Sequence, residues 1–334
     1  MGQEPMKLTI NEIAELAQVA KSTVSKALNG QKGVSEEKRN LILKLAEQLD
    51  YHPNASAQAL ASNRSLSVGL VLPHQADFSL SGAFWSAIIT AVAQEARARG
   101  YNLLILSPGE DDNVADPIES VLKRRNVDGL VIGAEHLDPK AVSTLILEDV
   151  PFVLIGRSPN IHHYFVDIDN EPASRKIVAH MASQGHRRIA CLAGPREYPY
   201  IQERVAGYEA ALREAGLEWE AVEYAPYLAS EVDTAVGRLL AVHPDLDGLY
   251  LTAGGEFILD AIDAVKRFHP DLSGFGMAVF DDYRFFDYLG IPISRMRQPL
   301  HDIGARAASL LFELIDGQKP EKMDWVLAAE AVLR

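Results

Sequence analysis

The chain has 334 residues, which is long enough for a small domain followed by a larger one. Its formal net charge is −14 at pH 7, and its single cysteine, Cys191, excludes an intrachain disulfide. We expect Cys191, in the apolar run IACLAG, to be a buried and unreactive thiol. No apolar stretch approaches the length that spans a bilayer and no signal peptide is recognisable, so we expect a cytoplasmic protein.

Two short helices joined by a tight turn are predicted within residues 8–29. Thr9 and Glu12 have the spacing of a capping box, in which the glutamate reaches back to the residue that caps the helix. Apolar residues at helical spacing predict one buried face of the first helix: Ile10, Ile13, Ala14, Leu16 and Ala17. The second helix, from about Lys21 to Asn29, has an apolar inner side and a polar outer side that carries Lys21, Ser22, Ser25 and Lys26.

A third helix is predicted to begin after Ser35, which is a good N-cap residue. Its apolar residues would close a small core: Ile42, Leu45, Ala46 and Leu49. Three helices of this kind are typical of a helix-turn-helix head, whose second helix lies in the major groove of DNA. On the polar outer face alone, an ordinary solvated helix is an equal alternative.

The N-terminal residues also resemble a known family. The runs I-N-E-I-A-E-L-A-Q-V-A-K-S-T-V-S-K-A-L-N-G, V-S-E-E-K-R and Y-H-P-N-A-S-A-Q-A-L are similar to those of the lactose-repressor/galactose-repressor (LacI/GalR) family of bacterial transcription regulators. The resemblance extends over the whole chain. It implies that bases are contacted by Lys21, Ser22 and Lys26, and phosphates by Thr23, Ser25 and Asn29.

Two residues of the head depart from the family pattern. Ala20 stands at the N-cap of the second helix, where the family usually has serine, and the loss should cost about 1 kcal/mol. Gln18 replaces the glycine usual in the turn, so a different backbone geometry is expected there.

Residues 53–65 are expected to be a hinge helix and linker that joins the head, residues 1–52, to the body, residues 66–334. In the family this segment folds when two copies meet on the operator, and a leucine wedges into the minor groove. The resemblance places Asn54 and Leu60 at DNA contacts. The alternative is a linker that stays partly disordered.

Charge is divided unequally between these parts. Residues 1–65 contain eight Lys and Arg and seven Asp and Glu, a net charge of +1, which leaves −15 on the body. Phosphate should repel the body, so we expect the head alone to dock on DNA. Binding should depend steeply on salt and on dimerisation.

The body is predicted to be two doubly wound α/β lobes, because short apolar runs alternate with amphipathic helical windows from Leu66 onward. The resemblance implies a body like a periplasmic binding protein. We expect an N-lobe of about 66–163 plus 292–322 and a C-lobe of about 164–291 plus 323–334. A cleft between such lobes is a natural small-molecule site.

The carboxyl ends of parallel strands predict where that site lies. Strand ends are expected at Pro73, Ser107, Gly156/Arg157, Asp169, Gly194, Gly254, Asp281 and Gln298. The resemblance implies an effector-binding arginine in R-V-A-G-Y and an effector-binding aspartate in V-F-D-D. The full expected set is Phe84, Trp85, Arg204, Tyr227, Gly254, Asp281 and Gln298.

Each of these assignments has a plainer alternative. Arg204 could be a solvated helix residue, Asp281 a turn residue, and Phe84 or Trp85 part of the core. The pair Gly254-Gly255 stands where the family often has Asn-Asp, which should remove a hydrogen-bonding group and enlarge the pocket.

The sequence therefore predicts a DNA-binding repressor whose operator affinity is controlled by a sugar or sugar derivative bound between two lobes. The alternatives are a regulator that responds to a purine-type corepressor or a protein partner, and a sugar-binding protein that is not a regulator. No hydrolase, zinc-protease or Walker motif is present, so no enzymatic activity, cofactor or metal is expected. We expect a nucleoid-associated homodimer on a pseudo-palindromic operator. A tetramer is not expected, because the family's C-terminal leucine helix does not follow the VLAAEAVLR run.

Overall fold

The computed structural model describes residues 9–28, 32–49, 51, 64–73, 83–108, 115–135, 137, 139–158, 160–218, 221–269, 272 and 274–334. The chain divides into two compact units between Leu66 and Ser67, close to the predicted boundary. The predicted DNA contacts Asn29, Asn54 and Leu60, and residues 53–63 of the predicted hinge, lie outside the described residues.

The head contains three helices around a small apolar core. Their bounds are α1 Ile10–Leu16, α2 Lys21–Leu28 and α3 Glu36–Gln48. The glutamate of the predicted capping box accepts hydrogen bonds from the backbone amide and the hydroxyl of Thr9. Ser35 caps α3 by position, but its side chain makes no capping hydrogen bond. Ile13, Val24 and Ile42 are fully buried where the three helices meet.

Leu16 does not belong to this core. Its side chain is 59% exposed, so the prediction that it faces inward is wrong. The buried side of α1 consists of Ile13, Ala14 and Ala17. At about 100° per residue, Leu16 lies about 100° around the helix from the centre of that side.

The turn between α1 and α2 keeps a left-handed residue. Gln18 has a φ of 51°, the region that glycine tolerates best. A glutamine at this position therefore strains the turn, and the strain costs about 1 kcal/mol.

The body contains two six-stranded sheets built from short apolar strands. The strands are β1 Ser67–Val71, β2 Asn102–Leu106, β3 Gly129–Gly133, β4 Phe152–Ile155, β5 Phe165–Ile168, β6 Ile189–Ala193, β7 Val222–Tyr224, β8 Gly248–Leu251, β9 Gly276–Phe280, β10 Ile293–Arg297, β11 Asp324–Leu327 and β12 Glu330–Val332. The first sheet has the order β11-β5-β4-β3-β1-β2, and the second has the order β12-β10-β9-β8-β6-β7. All neighbours are parallel except β10 and β12.

Helices cover both sheets, as expected for doubly wound lobes. They are α4 Ala83–Ala98, α5 Ala115–Arg124, α6 Pro139–Leu147, α7 Asn170–Ser183, α8 Pro199–Glu214, α9 Ala229–Val242, α10 Glu256–Phe268 and α11 Leu300–Ile315, with a 3-10 helix at Arg284–Tyr288. Among the helices within the described ranges, none combines the length and the hydropathy needed to cross a bilayer.

The lobe boundaries differ from those predicted at three strands. β5 and β11, both expected in the C-lobe, pair with each other in the first sheet, where β5 also pairs with β4. β10, expected in the N-lobe, pairs with β9 in the second sheet. The chain therefore passes between the lobes after Ile168, after Arg297 and after Leu327. Apolar periodicity cannot reveal this, because a strand that completes one sheet has the same pattern as a strand that begins the next.

Candidate functional site

The outer face of α2 is the candidate DNA-binding surface of the head. Lys21, Ser22 and Lys26 are exposed, whereas Thr23 and Ser25 are half-buried. The backbone carbonyl of Ala27, in the last turn of α2, accepts a hydrogen bond from the Arg39 guanidinium of α3 at 3.0 Å. This hydrogen bond connects α2 with α3, and the lysines of α2 stay accessible. Contact of these residues with DNA stays a prediction.

The body contains a cavity of about 410 Å³ at the carboxyl ends of strands from both sheets, called here the cleft cavity. All seven residues expected to bind an effector line it: Phe84, Trp85, Arg204, Tyr227, Gly254, Asp281 and Gln298. Of the other nominated strand ends, Gly156 and Arg157 also line it. The strand-end residues meet at one place because parallel strands end at a shared edge. Phe84, Trp85 and Arg204 reach the cavity from helices instead.

Asp281 is a buried and hydrogen-bonded side chain of the cleft cavity. It follows β9 with a φ of 92°, a conformation that non-glycine residues rarely adopt, and it is 6% exposed. Its Oδ1 accepts a hydrogen bond from the Gln298 amide, and its Oδ2 accepts one from the Tyr283 hydroxyl at 3.0 Å. Burial raises the pKa of Asp281, while the nearby Arg204 charge opposes the increase. The carboxylate is therefore held in one orientation by two donors.

Gly254 makes that orientation possible. A Cβ atom at this position would lie 1.7 Å from Asp281 Oδ2 and 2.7 Å from the Tyr283 hydroxyl. The Tyr283 hydroxyl also accepts a hydrogen bond from the backbone amide of Gly255 at 2.9 Å. A side chain at position 254 would therefore collide with Asp281 and Tyr283. That the glycine pair enlarges the pocket relative to the family stays a prediction.

Arg204, on α8, is the buried cation of the cleft cavity. Its Nε donates to Asn170 Oδ1 at 2.9 Å, and its Nη1 donates to the carbonyl of Thr252 at 2.7 Å. The guanidinium also lies 3.6 Å from the centre of the Phe280 ring. With 5% of its surface exposed, Arg204 is not a solvated helix residue.

Gly207, in the same R-x-x-G motif, brings α8 against α7. A Cβ atom there would lie 2.3 Å from the carbonyl oxygen of Glu171. The close approach of the helices allows Arg204 to reach Asn170 in the first turn of α7. The motif therefore supplies both the arginine and the packing that positions it.

Aromatic rings form much of the remaining wall. The hydroxyls of Tyr200 and Tyr227 are 2.6 Å apart and hydrogen-bonded, and Tyr227 meets the Phe257 ring edge to face at 5.7 Å. Phe84 and Trp85 of the first lobe are also in edge-to-face contact, at 5.3 Å. Trp85 is 6% exposed, so it belongs both to the core and to the cavity wall.

An ion pair joins the two lobes beside the cleft cavity. Arg157, after β4, donates to Asp167 of β5 at 2.8 Å and lies 3.5 Å from Glu203 of α8. Burial lowers the pKa of Arg157, but Asp167 and Glu203 more than offset this. Glu203 also accepts a hydrogen bond from Asn170 at 3.1 Å. Asn170 therefore connects Arg204 with the charges between the lobes.

Several residues of this site were not predicted from the sequence. Glu135 lines the cavity two residues after β3, and the strand-end rule applied to β3 would have found it. Tyr283 follows the strand end at Asp281 and could have been found in the same way. Asn170 precedes Arg204 by 34 residues, and no sequence signal connects the two.

Comparison with known proteins gives two family matches. The family described as "Periplasmic binding proteins and sugar binding domain of LacI family" matches residues 65–264. The family described as "Bacterial regulatory proteins, lacI family" matches residues 9–54. The first match lies in the body and covers more than half of the chain, and the second lies in the head.

Full-length relatives have the same arrangement. The HTH-type transcriptional regulator CelR of Thermobifida fusca is 28% identical over 98% of this chain and 97% of its own. A solved structure described as a transcriptional regulator CelR-cellobiose complex is 26% identical over 98% of this chain and 99% of its own, with a TM-score of 0.74. The Lac repressor dimer bound to operator, 23% identical with a TM-score of 0.81 over 98% of each chain, shows the same fold.

Proposed function

The chain belongs to the LacI family of bacterial regulatory proteins, and we propose that it is a transcriptional repressor controlled by a sugar bound in the cleft cavity. Two chains pair through their bodies and place two heads on a pseudo-palindromic operator. The sugar changes the orientation of the lobes and thereby the affinity of the heads for DNA.

The observation that carries the sugar assignment is the combination of groups in one cavity. Asp281 and Gln298 offer acceptors and donors, Arg204 adds a fixed cation, and the rings of Tyr200 and Tyr227 offer aromatic faces. A sugar presents hydroxyls that donate and accept hydrogen bonds, and C–H faces that pack on rings. The cellobiose complex of CelR, a relative similar over nearly the whole chain, supports the same assignment.

Coupling between sugar and DNA would run through the three crossings between the lobes. The ion pair of Arg157 with Glu203 spans the lobes, and Asn170 links that pair to Arg204. A sugar that contacts both lobes would favour one orientation of them. The coupling free energy expected for such a change is about 1–3 kcal/mol.

The first test is a thermal-shift screen of the purified full chain against neutral sugars, sugar phosphates, nucleobases and nucleosides. A ligand at about a hundred times its dissociation constant should stabilise the protein by about 2.7 kcal/mol. We expect the stabilising compounds to be sugars. A response to nucleobases alone would replace the sugar with a purine-type effector, and silence throughout would favour a protein partner.

The second test separates the two functions of the chain. Asp281→Asn keeps the size of the side chain but removes its charge, so we expect the DNA affinity without sugar to be kept and the response to sugar to be lost. The control is Asp302→Asn, an exposed residue with the same change of charge. A normal sugar response in Asp281→Asn would overturn the assignment of the site.

A further inference from the structure

Charge is distributed unevenly around the cleft cavity. Among the residues that the structure describes, two guanidinium groups line it, those of Arg157 and Arg204. Five carboxylates of the same described residues line it: Glu135, Asp167, Glu256, Asp260 and Asp281. The described lining therefore has three more negative than positive groups, and one of its two cations, Arg157, is already paired with Asp167. A site built for a phosphate or a carboxylate would need the opposite balance.

The two cations have further partners within the protein. Arg204 directs two of its donors to Asn170 and Thr252, and Arg157 directs one to the carbonyl of Ile168 at 3.0 Å. Each guanidinium is held by these bonds in its present orientation. An incoming anion would therefore have to compete with acceptors that are already in place.

The negative charge of the wall adds to the effect of burial on the pKa values of several wall residues. Burial raises the pKa of Tyr200 and of Tyr227, and the Glu135 charge raises both further. Burial raises the pKa of Asp260, and the Glu256 charge adds to the increase. The wall thus disfavours additional negative charge at several separate points.

Glu135 and Asp281 lie on different lobes. Glu135 follows β3 of the first sheet, and Asp281 follows β9 of the second. Both line one cavity together with the aromatic wall. A glycan in the cavity would therefore meet carboxylates from both lobes, with Glu135 on the first and Asp281 on the second.

The volume of the cavity bears on the length of the ligand. A volume of about 410 Å³ lies within the range of about 300–1,000 Å³ that is typical of pockets for drug-sized ligands. A single hexose is smaller than such ligands. One hexose would leave part of the cavity unfilled.

We propose that the cleft cavity binds an uncharged glycan longer than one hexose, and that Glu135 is the hydroxyl-binding carboxylate of the first lobe. This inference rests on the proposed function, because it names the class of sugar that the same site takes. Sugars that carry a phosphate or a carboxylate are rejected by the charge of the wall.

Calorimetric titration of the full chain with matched pairs tests the charge. The neutral probes are sucrose, trehalose and cellobiose, and their charged counterparts are sucrose 6-phosphate, trehalose 6-phosphate and cellobionic acid. We expect a neutral disaccharide to bind at least about tenfold more tightly than its charged counterpart, because of like-charge repulsion. Tighter binding of the charged member overturns the inference but leaves the proposed function intact.

Length is tested in the same titrations with glucose and ribose. A monosaccharide that binds as tightly as the best disaccharide overturns the inference about length. No binding by any neutral or charged sugar overturns the proposed function itself. The two kinds of failure are therefore distinguishable.

The role of Glu135 is tested by Glu135→Gln, which keeps the shape of the side chain and removes its charge. We expect this variant to bind the neutral disaccharide more weakly. The ratio of its affinities for the neutral and the charged disaccharide should fall about tenfold. The control is Glu148→Gln, an exposed residue of the first lobe with the same change of net charge. If the two variants behave alike, Glu135 is not a ligand-binding residue.

Discussion

The head and the body place their polar chemistry in opposite ways. In the head, Lys21, Ser22 and Lys26 project from an apolar core and stay exposed. Within the described ranges, nine polar residues are buried, and all nine lie in the body. They include Arg204, Asp281 and Gln298. The head can therefore lose a functional side chain without loss of stability, whereas in the body function and stability depend on the same hydrogen bonds.

The largest effect that this comparison predicts is that of Arg204→Met. The change leaves Asn170 Oδ1 and the Thr252 carbonyl without their donor, so we expect the body to lose about 3 kcal/mol of stability. All three tryptophans lie in the body, so urea denaturation followed by tryptophan fluorescence measures this unit alone. The control is Arg213→Met on the exposed side of the same helix. Equal stabilities of the two variants would contradict the comparison.

Gly254→Ala should have the next largest effect. The added methyl group collides with the Asp281 carboxylate, and its accommodation should cost about 2 kcal/mol and weaken sugar binding. Gly237→Ala is the control, because its Cβ would meet the Phe268 ring at an ordinary 3.6 Å within helix α9. We expect that control to be neutral or stabilising. An equally stable Gly254→Ala would show that Asp281 can move at little cost.

Lys26→Ala tests whether an exposed side chain of the head can be removed without loss of stability. We expect operator affinity to fall about tenfold while the fold of the head is unchanged, because the side chain is exposed. Fluorescence anisotropy at fixed salt, with an operator selected from random DNA, measures the affinity. Lys44→Ala on α3 is the matched control. Unchanged affinity in Lys26→Ala would remove this residue from the DNA contacts.

Gln18→Gly should give the smallest effect and sharpen the comparison. Relief of the strained backbone should outweigh the added entropy of the unfolded chain, so the head gains about 0.5 kcal/mol. Unfolding of the head is followed by circular dichroism at 222 nm. It is identified as the unfolding transition during which tryptophan fluorescence does not change, because all three tryptophans lie in the body. Gln48→Gly, in the last turn of α3, is the control and should destabilise the head. A loss of stability in Gln18→Gly would mean that the turn is not strained.

The accuracy of sequence-based prediction also differs between the two regions. The bounds of α1, α2 and α3 follow from signals within a few residues, such as Thr9 and Glu12. Leu16 was misplaced because neighbouring positions around a short helix differ little in pattern. In the body, the strands and helices were predicted, but β5, β10 and β11 were assigned to the wrong lobes.

The cleft cavity shows the same division. Seven expected residues meet there, because strand ends and the family motifs both point to one edge of the sheets. The hydrogen bonds of Asp281 to Gln298 and Tyr283 were not predicted from the sequence. The collision with Asp281 that any side chain at position 254 would cause was not predicted either. These bonds depend on side-chain positions that no local pattern encodes.

The sequence by itself determined the helix-turn-helix head, the alternation of strands and helices in the body, and the family. All three depend on capping, periodicity and motifs that act over short distances along the chain. Tertiary structure alone decided which strands share a sheet, how Asn170 meets Arg204, and which side chains carry the charge of the cavity wall. Those properties arise from packing between residues far apart in sequence, where a shift of one ångström decides whether a polar group is paired.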